Sequence, residues 1–422
     1  MKRKEHTSAS GISIAPNRKL GYYLVDDEIY YHKIQALLAA SKKNTPIRWF
    51  FNEDTFIPYT WHIEPEQSLT ELYRRRAQQL RDCYDYIKLE LSGGADSGTV
   101  LYSFVLNNIH LDEVVFRYPK QGEKGVVGNP YDTRCENTLS EWEFAARPML
   151  DWIATNFPHI KITVHDYSQD MLDESETLDE SWIFRTRHYL QPGHAFKHTV
   201  QDRKDRLRTA VIYGTDKPKI CIKDNKFFLF FMDIQGNCAV SDTSTQDVTA
   251  EYFYWSPDAC DLLAKQAHVV ARWFSQPENH KMQNLLHWPN NNFAFRSFYE
   301  QLVKLIIYPD YDSSTFQTLK PTNNFYNEMD HWFHTNFRDT RLNQVWQAGV
   351  DYVIKNLDAK YIGYTDGQAR DIISFDSPYY YFGECAIPEN IAGVRTRQHF
   401  LQYKDEVHRK HRHVINGRLV IY

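Results

Sequence analysis

Four short apolar segments between residues 86 and 214, each predicted to be a β-strand, constrain the fold more than any other sequence feature. They cover residues 86–91, 111–118, 160–167 and 208–214, and amphipathic segments predicted to be helices follow the first two. Strand–helix–strand repeats of this length are typical of parallel sheets with right-handed crossovers. The sequence therefore predicts an α/β fold built on a doubly wound, mostly parallel sheet.

The rest of the chain divides around these repeats. Residues 1–18 are predicted to be a disordered arm, and residues 19–66 a small α/β cap. The strand–helix repeats belong to a predicted domain at 67–275, and residues 276–422 are predicted to be mainly helical. No internal repeat divides the chain further.

Local signals place three more elements inside the predicted domain. Ser68 and Glu71 form a capping box that begins a helix. Two apolar runs flank Asp224 and Asn225 and predict a β-hairpin. Ser256 is a predicted N-cap for a helix that follows an aromatic block, and we expect this block, Tyr252 to Trp255, to pack in the core.

Composition and charge exclude several classes of protein. The formal net charge of −5 does not fit a protein that coats nucleic acid through a basic face. The longest apolar run, Phe227 to Met232, is too short to span a bilayer, so no membrane association is expected. The six cysteines are sparse and form no C-x-x-C pair, which disfavours zinc ribbons and redox dithiols. Reduced thiols in a cytoplasmic protein are the expected state.

The segment "LELSGGADSGTV" joins the first predicted strand to the first predicted helix. Gly93 and Gly94 lack a β-carbon, so the backbone there can approach a ligand closely. Successive N–H groups and the start of a helix favour an anion, and Ser92 and Ser97 add hydroxyl donors. This pattern predicts a phosphate site, and a polar structural turn is the alternative.

Asp96 lies inside this loop and would repel a bare phosphate. Its presence therefore predicts a bridging Mg²⁺. The loop contains no lysine, so it is not the G-x-x-x-x-G-K-[ST] phosphate loop, and it does not match G-x-G-x-x-G. The pattern is S-G-G-x-D-S.

Residues 92–97, "SGGADS", resemble the pyrophosphate-binding loop of the N-type ATP pyrophosphatase superfamily. The closest pattern within it is the asparagine-synthetase-like group, which has the adenine nucleotide alpha hydrolase-like (HUP) fold. The resemblance implies that the cofactors are ATP and Mg²⁺. It also implies an enzyme that transfers AMP to an acceptor oxygen, releases pyrophosphate, and lets ammonia, an amine or another nucleophile displace AMP. The implied ATP-binding residues are Ser92, Gly93, Gly94, Asp96, Ser97 and Phe116.

The segment "YGTDKPK", which ends the fourth predicted strand, resembles the second signature of that group. The resemblance implies that Asp216 is a metal ligand together with Asp96. Lys217 stands where the family usually has an acid, and we expect it to contact phosphate and to act with Asp96 in catalysis. A structural turn at the strand end is the alternative for this segment.

Three residues are candidates for binding the second substrate. His194, Lys197 and His198 have the spacing of one helical face and would bind an acidic group or neutralise pyrophosphate. A solvated helix face is the alternative. A zinc site is disfavoured because no third ligand is evident.

Departures from the family pattern leave two other functions open. No cysteine precedes Cys83, so the glutaminase of amidotransferase-type asparagine synthetases is not expected. Glu384 and Cys385 partly resemble a segment of the sulfonucleotide reductases, for which a buried structural cysteine is the alternative. A nucleotide-binding module without turnover is the non-enzymatic reading. The acceptor is unidentified, and a nucleic-acid partner and a homo-oligomer are left open.

The resemblance also extends to bacteriophage proteins of the superfamily, through the segments "YRRRAQQLRDCYDY", "YGTDKP" and "FYWSPD". For a phage-encoded protein, the expected compartment is the host cytoplasm. The arginines of the first of these segments are predicted to form a solvated helix face, with a phosphate contact as the alternative.

Two charged residues contradict the pattern expected of a central strand. Such strands in parallel sheets are nearly all apolar, yet Lys88 and Glu90 alternate with apolar residues in the first predicted strand. Glu90 directly precedes the loop and is expected to face the mouth of the site. The sequence gives no reason for Lys88.

Overall fold

The fold is taken from a computed structural model that describes most of the chain. It describes residues 6–7, 13–14, 17–118, 120, 142–166, 168–169, 173, 207–233, 248–286, 293–308, 341–365 and 368–387. Within residues 1–18, two short strands, β1 (His6–Thr7) and β2 (Ser13–Ile14), pair in antiparallel fashion.

A small α/β unit follows. Its elements are β3 (Tyr22–Val25), β4 (Glu28–Tyr30), α1 (Lys33–Lys43), β5 (Ile47–Phe50) and α2 (Glu53–Phe56). The three strands form an antiparallel sheet in the order β4-β3-β5. Ile34, Leu37 and Ala40 of α1 are fully buried, as their helical spacing predicts.

The next elements alternate between helix and strand. They are α3 (Leu69–Cys83), β6 (Tyr86–Glu90), α4 (Ala95–Val105), β7 (Glu113–Tyr118), α5 (Arg147–Asn156) and β8 (Lys161–Asp166). A short π-helix, Trp142–Ala146, leads into α5. The Ser68 hydroxyl accepts a hydrogen bond from the Glu71 N–H at 3.2 Å, which confirms the predicted helix start.

The central sheet is completed by residues further along the chain. The strands that follow are β9 (Thr209–Tyr213), β10 (Lys219–Lys223), β11 (Lys226–Phe230) and β12 (Val248–Tyr252). Five strands form a parallel sheet in the order β12-β9-β6-β7-β8. The predicted α/β architecture with a parallel sheet is therefore confirmed. Since β7 and β8 lie on one side of β6 and β9 and β12 on the other, the strand order reverses between β6 and β9.

The described part of 276–422 contains strands as well as helices. After α6 (Cys260–Phe274) come α7 (Phe293–Ile307), α8 (Arg341–Asn356), β13 (Ile362–Thr365), β14 (Gln368–Ile372) and β15 (Tyr380–Glu384). Two 3₁₀ helices, Pro257–Ala259 and Pro277–Leu286, flank α6. Of the helices in the described ranges, none has the length and apolar character needed to cross a membrane.

The predicted β-hairpin is present as β10 and β11. Asp224 and Asn225 have φ angles of 48° and 57°, which is the left-handed pair that a tight type I′ turn requires. The predicted hairpin is therefore confirmed. Strand β15 pairs with β11 and makes a three-stranded sheet, so residues near 380 are held against the segment that follows β9.

The aromatic block at the end of β12 lies in the core, as predicted. Tyr252, Phe253, Tyr254 and Trp255 are each at most 2% exposed. The prediction of a solvated arginine face is wrong for one residue of α3. Arg76 is buried and donates hydrogen bonds to the carbonyl oxygens of Phe253 and Tyr252, at 3.1 and 3.0 Å. Its partners come from the end of β12, which the helix sequence does not reveal.

Cross-strand neighbours explain the charged residues of β6. Lys88 is in register with Glu113 of β7, and its ammonium lies 3.5 Å from the carboxylate of that residue. Glu90 accepts hydrogen bonds from Arg117 at 2.6 and 2.9 Å. One face of the sheet therefore carries paired charges, which removes most of the cost of burying them.

Candidate functional site

The two segments singled out in the sequence meet at one place in the fold. The "SGGADS" loop follows β6, and the "GTDKPK" segment follows β9. These strands are the neighbours between which the strand order reverses. In open α/β sheets, ligands bind at the carboxyl ends of the strands at such a reversal.

The first loop presents a helix start without a side-chain cap. Helix α4 begins at Ala95, and its N-cap Gly94 gives no side-chain hydrogen bond to the first turn. The hydroxyl oxygens of Ser92 and Ser97 lie 3.2 Å apart beside this turn. Unpaired N–H groups and the helix dipole make such a terminus suitable for an anion.

Gly93 is required where it stands. Its φ is +74°, and a β-carbon built on it would lie 2.4 Å from the carbonyl carbon of Ala145. The backbone of the π-helix that leads into α5 therefore lies directly against the loop. A larger residue would have to move two backbone segments, which explains why only glycine fits.

Gly214 holds the two segments together. A β-carbon there would lie 2.9 Å from the Asp96 carbonyl carbon and 3.0 Å from the Ser97 nitrogen. The backbone after β9 thus touches the first turn of α4. This contact fixes the distance between the two predicted signatures.

Lys217 links the two predicted metal ligands. Its ammonium lies 3.1 Å from Asp96 Oδ1 and 2.9 Å from Asp216 Oδ1. The side chains of Asp216 and Lys217 are 4% and 6% exposed, whereas that of Asp96 is 22% exposed. The structure therefore brings together three of the residues that the sequence singled out, and Asp96 is the one that faces solvent.

Burial and charge act in opposite directions on these groups. Burial alone would raise the pKa of Asp96, but the ammonium groups of Lys217 and Lys304 outweigh it and lower that pKa. Burial would also raise the pKa of Asp216, which Lys217 and Lys219 lower strongly. Burial would lower the pKa of Lys217, but the two carboxylates raise it. All three groups are therefore ionised at neutral pH.

Sequence reasoning missed Lys304, in the last turn of α7, and Tyr308, which directly follows that helix. The Lys304 ammonium lies 3.1 Å from Asp96 Oδ2, and the Tyr308 hydroxyl donates to Asp96 Oδ1 at 2.6 Å. Glu300, one turn before Lys304, accepts from Lys219 at 2.9 Å. The sequence carries one signal for this group: Glu300, Lys304 and Tyr308 are spaced four apart, which places them on one helical face.

Two tyrosines hold this arrangement from behind. Tyr254 donates to the Asp96 carbonyl oxygen at 2.7 Å. The Tyr299 hydroxyl donates to the Pro218 carbonyl oxygen at 2.7 Å and accepts from the Ile220 N–H at 3.0 Å. Helix α7 is thereby joined to the segment that carries Lys217.

Phe116, an implied ATP contact, is covered by other aromatic rings. It is 5% exposed, and Trp142 stacks on it with ring centroids 5.3 Å apart. Trp142 also stacks on Tyr118 at 5.0 Å. The end of β7 thus carries an aromatic wall in which Trp142, rather than Phe116, is the outer ring.

The remaining candidates lie away from this cluster or outside the described residues. His194, Lys197 and His198 belong to the second group. Cys385 is 8% exposed, and its N–H donates to the Asn225 carbonyl oxygen at the turn of the hairpin. Strand β10 separates this turn from Lys219 by about 13 Å, at about 3.3 Å per residue, so Cys385 lies away from the cluster. Burial raises the pKa of the Cys385 thiol, which disfavours a reactive thiolate.

The grouping of potential metal ligands in the described ranges limits the kind of metal site that the protein can form. Within these ranges no group of three or more His, Cys, Asp or Glu residues is arranged to hold a metal ion. Mg²⁺ needs no such cage, because it is commonly bound by one or two carboxylates together with substrate phosphates.

No protein-family model matches this chain, and no curated protein matches it significantly.

Proposed function

We propose that this chain is an ATP-dependent adenylating enzyme of the N-type ATP pyrophosphatase superfamily, with the HUP form of the α/β fold. It would form AMP and pyrophosphate and activate an acceptor oxygen for attack by ammonia, an amine or another nucleophile. The five-stranded parallel sheet is compatible with this assignment. The uncapped start of α4, next to Ser92 and Ser97, supports a phosphate site there.

A single observation carries the proposal. Asp96 and Asp216 come from segments 120 positions apart, yet both contact the Lys217 ammonium where the strand order reverses. If both segments were only structural turns, we would not expect two acids and a lysine to meet in one partly exposed cluster. Perturbed, paired charges at the carboxyl edge of such a sheet are typical of functional sites.

The residues of the cluster have distinct roles in this proposal. Ser92, Ser97 and the first N–H groups of α4 bind the pyrophosphate part of ATP. Lys217 and Lys304 neutralise the charge that develops as pyrophosphate leaves. Asp216 positions Lys217, and Tyr308 orients Asp96 through its hydrogen bond.

Mg²⁺ fits one of the two implied ligands. Asp96 contacts Lys217, Lys304 and Tyr308, but the side chains of Asp96 and Lys304 are each 22% exposed. Lys304 can therefore give way to a metal ion that Asp96 shares with phosphate oxygens. Both oxygens of Asp216 already contact buried ammonium groups. The three lysines at the site are balanced by Asp96, Asp216 and Glu300, so bound Mg²⁺ would supply the net positive charge that a triphosphate requires.

The test is exchange of labelled pyrophosphate into ATP by the full chain, with pools of metabolites, amino acids and nucleotides as acceptors. We expect exchange with at least one pool and its loss in Asp96→Ala, with Lys223→Met at the far end of β10 as the control. ATP binding without exchange in any pool would instead indicate a binding module. Exchange that survives in Asp96→Ala would contradict the assignment of the loop.

A further inference from the structure

Both carboxylate oxygens of Asp216 are engaged by groups of the chain itself. Its Oδ1 accepts from the Lys217 backbone N–H at 2.5 Å and contacts the Lys217 ammonium at 2.9 Å. Its Oδ2 lies 3.2 Å from the ammonium of Lys219, whose side chain is fully buried. A carboxylate offers about four acceptor positions, and three of these are used here, so a metal ion at the fourth would lie beside two buried ammonium groups that repel it.

The Lys217 ammonium occupies the space between the two carboxylates. It contacts Asp96 Oδ1 at 3.1 Å and Oδ2 at 3.3 Å, in addition to Asp216 Oδ1 at 2.9 Å. Two carboxylates brought this close by the Gly214 contact would repel each other strongly without a cation. The lysine supplies that cation from within the chain.

We propose that Lys217 is a resident cation that takes the place of a divalent metal ion between Asp96 and Asp216. The site therefore carries no metal at Asp216, and any Mg²⁺ that accompanies a nucleotide binds on the open side of Asp96. The role of this arrangement in binding nucleotide rests on the proposed function. The absence of a metal site at Asp216 does not depend on it.

Lys219 and Lys304 differ from Lys217 in their surroundings. Lys219 is shared between Asp216 and Glu300, so it completes a buried ion cluster. Lys304 contacts Asp96 from the exposed side, where its own side chain is 22% exposed. Lys217 alone joins both carboxylates, so removing it should leave two acids facing each other across a vacated position.

The experiment measures Mn²⁺ binding and Mn²⁺-dependent melting of the full chain without nucleotide. We expect that Mn²⁺ does not raise the melting temperature of the wild type. We also expect that the Asp216→Asn variant of the otherwise unchanged chain has the same Mn²⁺ affinity as the wild type. The Lys217→Met variant should bind Mn²⁺ at least about tenfold more tightly than the wild type does. Because Mn²⁺ then binds the folded state, it should raise the melting temperature of this variant. Adding Asp216→Asn to Lys217→Met should remove the new site.

The matched control is a variant of another lysine in the hairpin of β10 and β11. Lys223→Met removes a lysine from the same hairpin, away from both acids, and should gain no Mn²⁺ site. A wild-type Mn²⁺ site that Asp216→Asn abolishes would overturn the proposal, and this result needs no Lys217 variant to fold. Failure of Lys217→Met to gain a site in folded protein would also overturn it. Neither result involves ATP, so both are distinguishable from failure of the proposed enzyme activity.

Discussion

The Tyr308 hydroxyl donates a hydrogen bond to Asp96 Oδ1 at 2.6 Å, across 212 positions of the chain. Tyr308→Phe removes this donor from an ionised acceptor. We expect a loss of about 1.5–3 kcal/mol in the free energy of unfolding, the usual range for hydrogen bonds to charged groups. Urea denaturation measures it. Tyr381→Phe is the control, because its exposed hydroxyl bonds Glu384 at the surface, and an equal loss in both variants would contradict the prediction.

The contact between Gly214 and the first turn of α4 predicts a position-specific effect of alanine. Gly214→Ala places a methyl group about as close to the Asp96 backbone as the built β-carbon, 2.9 Å, so a backbone segment must move. Overpacking of this kind costs about 1–3 kcal/mol of stability. Gly383→Ala has nothing within 4 Å of its β-carbon and should be nearly neutral in the same denaturation measurement. Similar losses at the two positions would show that the loops are not in contact.

Asp216→Asn tests the buried ion cluster through its pH dependence. The variant leaves Lys217 and Lys219 buried without their shared partner, and breaking a buried pair costs about 3–5 kcal/mol. Because the folded pKa of Asp216 lies well below the ordinary value, its stabilisation is fully present above about pH 4. The difference in the free energy of unfolding between wild type and variant should therefore be constant from about pH 5 to about pH 8 and shrink as the pH falls below about 4. A difference that grows on acidification would contradict the assignment.

Lys304 predicts that the affinity of the site for phosphate falls at alkaline pH, which gives an alkaline limb in the pH profile of binding. Burial lowers the pKa of Lys304 below that of an ordinary lysine, although Asp96 opposes the shift. As the pH rises through this lowered pKa, the ammonium loses its proton and the site loses a positive charge. Pyrophosphate affinity should therefore fall at a pH below that at which ordinary lysines titrate, about 10.4. Calorimetric titration across pH measures this, and Lys304→Met should abolish the limb; an unchanged limb in the variant would assign it to another group.

Four of the five strands of the central sheet and the two loops of the site could be predicted from sequence, because their signals are local; the edge strand β12 was not predicted. Apolar runs, the capping residue Ser68 and the Asp224–Asn225 turn each act within a few residues. The two site segments were recognisable for the same reason. Asp96 and Lys217 carry their chemistry in the motifs themselves.

The missing parts depend on contacts between distant segments. Lys88 was unexplained because Glu113, its partner, lies on the neighbouring strand and only the register brings them together. Arg76 was expected at the surface, and the end of β12 buries it. Lys304 and Tyr308 lie about 200 positions after the loop they complete, and their helical spacing alone names no ligand. The interpretation of Asp96 also changed, since the sequence required a cation beside it and the structure supplies two lysines.

We propose that the loop after β6 binds the phosphate part of ATP. The most direct test is equilibrium binding of labelled ATP to the full chain with Mg²⁺, in competition with pyrophosphate and with adenosine. We expect that ATP binds, that pyrophosphate displaces it, and that adenosine does so far less well, because Ser92, Ser97 and the start of α4 would make most of the contacts through the phosphates. Displacement by adenosine but not by pyrophosphate, or no ATP binding at all, would contradict it.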